Sequence, residues 1–121
     1  MATARARIGH NSRSARPPVT YAIAFDLDTK TLQDSYPSPS WQNAYFDVER
    51  TLKKHGFTRQ QGSVYFGDDT VDAVRCVVAA QDLTMSHPWF RPAVKDLRML
   101  RIEDNNDLMP AIEQVIRPEA R

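Results

Sequence analysis

The sequence predicts one α+β domain in which helices cover one face of a single sheet. Strand-like and helix-like patterns follow one another in the order strand, helix, strand, strand, helix, strand. The length of 121 residues is enough for one hydrophobic core and too short for two. Hydrophobic residues make up 41% and charged residues 26%, which is typical of a globular chain.

The first strand is an apolar run over residues 21–28 that ends in two carboxylates. Alternation along a strand places Ile23, Phe25 and Leu27 on one face, where helices can bury them. Asp26 then lies on the other face, which is otherwise formed by small alanines. Because a buried carboxylate is costly, Asp26 is the first candidate for a functional residue.

A helix is predicted next, with Ser38 as its N-cap and Pro39 at its first position. Gly56 ends it, and His55 is expected to interact with the carbonyl end of the helix. Its apolar residues recur at helical spacing, at Trp41, Ala44, Tyr45, Val48 and Leu52.

A hairpin hinged at Gly62 is predicted over residues 57–61 and 63–66. A second long helix is expected to begin near Val71 and to end at Pro88, before a Trp89-Phe90 pair that packs in the core. We expect this helix to face the core with its valines, Val74, Val77 and Val78.

The last strand is predicted over residues 94–102, where charged and apolar side chains alternate. A short helix then follows and is expected to stop at Pro118. The apolar residues of that helix are Leu108, Ile112, Val115 and Ile116.

This order of elements is the ferredoxin-like βαββαβ unit, in which the first strand lies between the third and the fourth. Asp26, Ser63 and Asp96 are therefore expected at one end of the sheet. If Phe25, Val64 and Leu97 face the helices, those three polar residues share the open face with Tyr65 and Arg98.

Residues 1–19 are predicted to form a disordered tail, and residues 20–117 the domain. Four of the 16 basic residues lie in that tail, which holds no acid, so a transit peptide or a basic arm on nucleic acid are alternatives. The remainder has 12 basic and 15 acidic residues. Any contact of the domain with nucleic acid must then be local, because general affinity comes from neutralising phosphates.

No apolar run approaches the ~20 residues of a membrane span, and no secretory signal is recognisable, which favours the cytoplasm. The single Cys76 excludes an internal disulfide. It is predicted to be a small buried helix residue and not a nucleophile or metal ligand.

The sequence resembles the virulence-associated protein D (VapD) family over residues 21–112. The resemblance is carried by four segments in the same order, at residues 21–27, 61–65, 89–90 and 94–98. It implies a ferredoxin-like homodimer related to the CRISPR-associated adaptation nucleases. It also implies an endoribonuclease toxin that cleaves messenger RNA and is paired in some members with a small protein antitoxin. The tail departs from the family, whose chains usually begin near the position of Tyr21.

The resemblance implies that Asp26 is the catalytic or metal-binding aspartate, and the expected convergence of the strands adds Ser63 and Asp96 as further catalytic candidates. Two carboxylates held together either bind a divalent cation such as Mg²⁺, with Asp26 as a ligand, or keep a proton on one acid. RNA contacts are expected from Arg98, Arg101 and Tyr65.

Less specific interpretations stay open beside this one. Asp26 could form a solvated ion pair with Arg98, or Arg98 could neutralise Asp96. Asp28 is expected to cap the following turn. The competing function is a non-catalytic dimeric binding module, since ferredoxin-like sheets also serve regulators and adaptors.

Overall fold

The computed structural model describes residues 19–115 of the chain. The elements over these residues are β1 (Thr20–Leu27), α1 (Thr29–Ser35), a 3-10 turn (Trp41–Asn43), α2 (Ala44–Lys54), β2 (Phe57–Gln61), β3 (Val64–Gly67), α3 (Ala73–Ser86), α4 (Phe90–Ala93), β4 (Val94–Ile102) and α5 (Met109–Glu113). The expected tail 1–19 lies outside the described residues except for its last position, and so do Ile116 and Pro118.

The four strands form one antiparallel sheet in the order β2-β3-β1-β4. This order confirms the ferredoxin-like topology, with β1 between β3 and β4. β1 and β4 pair along their whole lengths, from Thr20 opposite Ile102 to Leu27 opposite Val94. Their register breaks once, between Asp26 and Leu27.

The core lies between the helices and one face of the sheet. β1 buries Ile23, Phe25 and Leu27 there, as the alternation predicts, and Trp89 and Phe90 pack against them as expected. Cys76 is also buried in this core, and burial raises the pKa of its thiol. A buried thiol of this kind is a structural residue, as predicted.

The chain between β1 and α2 differs from the prediction. Residues 29–35 form α1, a helix that the sequence pattern does not predict, and α2 begins only at Ala44 after the 3-10 turn. Ser38 does not cap that helix, because its hydroxyl accepts a hydrogen bond from the Ser40 N–H at 3.1 Å. Gly56 does end the helical segment, in the left-handed region at φ 93°, where glycine is strongly favoured.

The face of α3 that meets the core was predicted wrongly. Val74, Val77 and Val78 are exposed, and the buried side chains are Cys76, Ala79 and Leu83. The buried set also has helical spacing, and its small residues allow α3 to approach the sheet closely. The valines instead give α3 an apolar outer surface.

Candidate active site

Two carboxylates lie opposite each other at one end of the sheet. Asp26 on β1 and Asp96 on β4 are register partners, on the face away from the helices, as predicted. Directly opposed side chains on antiparallel strands have Cβ atoms about 4.5–5.5 Å apart, so the two negative charges are close. Like charges so placed repel, and the arrangement needs cations beside it.

Each carboxylate has one basic neighbour. The Arg98 Nε donates to both oxygens of Asp96, at 3.0 and 3.2 Å, so the expected neutralisation of Asp96 is confirmed. The Lys95 ammonium lies 3.8 Å from the Asp26 carboxylate. The alternative in which Asp26 pairs with Arg98 is therefore wrong, and Lys95 is a site residue that the sequence pattern did not single out.

The Asp26 side chain is open to solvent and is not locked by its neighbour. It is 62% exposed, and Lys95 at 59% is equally accessible. An exposed ion pair of this length contributes about 1 kcal/mol or less. A ligand that approaches the end of β1 can therefore reach the Asp26 oxygens at little cost to the fold.

Ser63 and Tyr65 are not on the face that the sequence predicted. Tyr65 is opposite Ile23 and is buried, with its ring stacked on Phe25 at 6.0 Å between centroids. Ser63 lines a cavity on that same helix side, although its backbone carbonyl accepts from the Phe25 N–H at 3.2 Å. In the observed register Tyr65 is opposite Ile23 and Val64 is opposite Ala24, so Tyr65 and not Val64 shares the helix face with Phe25, and a register difference of one residue reverses the faces of a strand.

The other two predicted RNA contacts differ in position. Arg98 shares the open face with Asp26 and Asp96. Arg101 is opposite Tyr21, which lies on the same face of β1 as Ile23 and Phe25. The Arg101 guanidinium pairs with Glu103 at 2.5 Å. Arg98 is thus the arginine that lies beside the carboxylates.

Asp28 is the N-cap of α1, as expected for the turn after β1. Its carboxylate accepts from the backbone N–H of Thr31 at 3.0 Å and from the hydroxyl of the same residue. These hydrogen bonds lower the pKa of Asp28. The side chain is committed to the helix end and stabilises the backbone immediately after Asp26.

Within residues 19–115 no three His, Cys, Asp or Glu side chains converge in a way that could hold a metal ion. One chain offers the carboxylates of Asp26 and Asp96, and Mg²⁺ is commonly held by one or two carboxylates together with water and substrate phosphates.

A second polar cluster joins the end of α2 to α3. The His55 Nε2 lies 2.8 Å from the Asp82 carboxylate, and the Ser86 hydroxyl donates to the same carboxylate at 2.7 Å. The His55 Nδ1 is buried without a hydrogen-bond partner in the described structure. Because a carboxylate only accepts hydrogen bonds, the Nε2–H of His55 is the donor to Asp82. His55 therefore links two helices, which its predicted capping role did not include.

Asp82 makes stability depend on acid pH. Hydrogen bonds from His55 and Ser86 lower the pKa of Asp82 to about 2 from 3.8. A depressed carboxyl pKa stabilises the fold above the unfolded value, and this contribution is lost as pH falls through the folded value. We expect Asp82→Asn to lower the thermal midpoint at pH 7 and to flatten its dependence between pH 4 and 2. Parallel midpoint curves for the two proteins over that range would contradict this role.

The fold and this acidic strand end define a class, that of small ferredoxin-like proteins with an exposed carboxylate pair at the end of the first strand. None of the helices over the described residues has the length and apolarity to cross a membrane. No protein-family model matches the chain.

Comparison with curated proteins shows the family. The chain is 53% identical over 92 residues to Endoribonuclease VapD 2 of Riemerella anatipestifer, an alignment that covers 76% of this chain and 98% of that protein. It is 51% identical over 96 residues to an Endoribonuclease VapD homolog of Helicobacter pylori, covering 79% and 99%. Endoribonuclease VapD of Dichelobacter nodosus is 34% identical over 93 residues, covering 77% and 97%. The chain belongs to the VapD family.

Proposed function

We propose that this protein is an endoribonuclease whose reaction takes place at the end of β1, with Asp26 as the central catalytic group. Relatives named endoribonuclease VapD are matched over nearly their whole lengths, at up to 53% identity. The observation that carries the assignment of the site is the exposed Asp26 carboxylate, which lies beside Lys95 and opposite Asp96.

The geometry suits cleavage in which the 2′-hydroxyl of the ribose attacks the adjacent scissile phosphate. The Asp26 carboxylate takes the proton of the 2′-hydroxyl, whose oxygen forms a bond to phosphorus while the bond from phosphorus to the 5′-oxygen breaks. Lys95 and Arg98 are cations on this side that stabilise the charge of the pentavalent phosphorus. The products are a 2′,3′-cyclic phosphate and a 5′-hydroxyl, and the leaving oxygen takes up a proton from a protonated acid or from water.

Asp96 and Ser63 have supporting roles in this proposal. Asp96 holds the Arg98 guanidinium through two contacts and fixes its direction. Ser63 has a positioning role, because its backbone carbonyl accepts a hydrogen bond from Phe25 and so ties the β2–β3 turn to β1. A divalent cation, when bound, would be held by Asp26 and Asp96 and would add charge stabilisation at the phosphate.

The experiment that tests the function is a cleavage assay on the purified protein with messenger RNA and with defined oligonucleotides, each with and without a chelator. Cyclic phosphate ends that form equally well in both conditions support Asp26 as the base. Loss of cleavage on chelation would indicate that Asp26 binds a metal ion and does not act as the base. No cleavage of any RNA, with or without added Mg²⁺, would refute the proposal.

The biological setting that we propose is a toxin that acts on messenger RNA in the cytoplasm and is restrained by a small protein antitoxin. The support for this setting is the membership in the VapD family. Growth arrest on expression of the parent, relieved by a protein encoded beside it and absent for the Asp26→Asn variant, is the expected result.

We further propose a homodimer through β4 and the open face of the sheet. β4 is an edge strand of nine residues, and Met99 and Leu100 are exposed on it. Among the strands of residues 19–115, none pairs with the outer edge of β4, and a long edge with exposed apolar residues favours pairing with a second strand. The segment after β4 lies beside β3, since Asn105 and Asp107 line a cavity together with Val64 and Phe66. This segment covers the β3 half of the open face more than the β4 half.

Leu100→Glu is expected to convert the dimer to monomers, because a carboxylate then has to be buried in the interface. Val78→Glu is the matched control, since Val78 on α3 is 38% exposed and Leu100 is 39% exposed. Sizing with light scattering measures the mass of both variants. A Leu100→Glu protein that remains dimeric would place the interface elsewhere.

A further inference from the structure

A cavity of about 390 Å³ lies on the helix side of the sheet, next to the turn that joins β2 and β3. Its sheet wall includes Phe25, Ser63 and Tyr65, and the opposite wall is formed by the 3-10 turn and the first half of α2. Pockets that bind small ligands measure roughly 300–1,000 Å³, so this one can take a single small group. Phe25 directly precedes Asp26 on β1, so the cavity lies at the same end of the sheet as Asp26 but on the opposite face.

The helix wall presents aromatic surface to this cavity. Tyr45 and Phe46 line it, and the Phe46 side chain is 61% exposed at its rim. The back wall is the stacked pair of Phe25 and Tyr65. Aromatic rings around an open cavity are suited to a flat π-system, and nucleobases bind to proteins by stacking of this kind.

Polar groups lie on both sides of these rings. Gln42 and Glu49 line the cavity from the helix wall. Burial raises the pKa of Tyr65, and the negative charge of Glu49 adds to this rise. Arg59 is held at the opening, because its Nε donates to the carbonyl oxygen of Gly62 at 2.8 Å.

We propose that this cavity is a base-binding subsite that takes a guanine of the RNA, on the helix side of the sheet end that carries Asp26. The inference rests on the proposed ribonuclease function for its ligand. The two oxygens of Glu49 accept from the ring N1–H and the 2-amino group of guanine, and Phe46 and Tyr45 stack on the base.

Glu49 makes the choice of base specific. Guanine presents two adjacent donors on its Watson–Crick edge, which match a carboxylate in a bidentate manner. Adenine and cytosine present one amino group beside a ring acceptor, which repels the second carboxylate oxygen. Uracil presents one N–H between two carbonyls. A site built on a carboxylate therefore selects guanine both by attraction and by repulsion of the other bases.

Binding can be tested apart from cleavage, with the full chain carrying Asp26→Asn. Labelled RNA oligonucleotides of equal length, which differ only in a single A, C, G or U within an otherwise uniform strand, are titrated and followed by anisotropy. We expect the strand with guanine to bind ~10-fold more tightly, since a good bidentate pair discriminates by about 1–3 kcal/mol. Adding Glu49→Gln is expected to remove most of that preference, because the amide offers one acceptor and one donor.

Two further variants separate stacking from base selection. Phe46→Ala is expected to weaken binding of all four strands by ~10-fold without changing their order, because stacking is tolerant of sequence. Glu113→Gln makes the same chemical change as Glu49→Gln on an exposed residue of α5 and is expected to leave affinity and preference unchanged.

The outcomes distinguish this inference from the proposed function. Equal affinity for the four strands, or a guanine preference that survives Glu49→Gln, overturns the base-binding assignment whatever the protein cleaves. A parent protein that prefers guanine through Glu49 but does not cut RNA refutes the nuclease and leaves the subsite standing.

Discussion

The Asp26→Asn protein is expected to fold like the parent and to cleave RNA ~10²-fold more slowly or worse, the usual effect of removing a general base. The amide keeps the size of the side chain but can neither accept the 2′-hydroxyl proton nor bind a cation strongly. The fold survives because the side chain is exposed and its contact with Lys95 is a long surface pair at 3.8 Å. Initial cleavage rates and thermal midpoints measured on one preparation check both statements.

Asp34→Asn is the matched control for this variant, since Asp34 is an exposed carboxylate on α1. It is expected to cleave at the parent rate. Asp96→Asn and Ser63→Ala should lose less activity than Asp26→Asn, because Asp96 acts through Arg98 and Ser63 through the turn beside Phe25. An Asp26→Asn protein that cuts RNA as fast as the parent would defeat the catalytic assignment.

The sheet could be predicted from sequence because its strands alternate clearly. In β1 and β4 the pattern separates Ile23, Phe25 and Leu97 from Asp26 and Asp96, and the observed register keeps that separation. The Trp89-Phe90 pair follows a proline that must end a helix, so its return to the core was also predictable.

The strand register and the contacts between residues distant in sequence could not be predicted in this way. The faces of β3 depend on its register with β1, and a difference of one residue in that register decides whether Tyr65 is buried or open. α3 has two apolar stripes, and either could face the core by periodicity alone. The stripe of Cys76, Ala79 and Leu83 is buried because its small residues pack closely on the sheet, which helical periodicity does not predict.

The candidate site was predicted in part for the same reason. Asp26 and Asp96 meet because strand order alone brings them together. Lys95 reaches Asp26 through the break in register after that residue, and Glu49 joins the cavity beside Ser63 through the position of α2. Signals of this kind exist only in the folded chain, since the segments that meet are far apart in sequence.

Phe90→Ala is expected to lower the free energy of unfolding by about 3–5 kcal/mol, the usual cost of removing a buried phenyl ring and leaving a cavity. Phe90 is 1% exposed and begins α4, which packs between α1 and the start of β4. A domain of this size has only ~5–15 kcal/mol of stability in total, so this loss should lower the thermal midpoint by about 10 °C or more. Phe46→Ala removes the same ring from an exposed position and should change stability by about 0.5 kcal/mol or less. Urea titrations of the three proteins measure the difference, and equal midpoints for the two variants would show that the α4 region does not anchor the core.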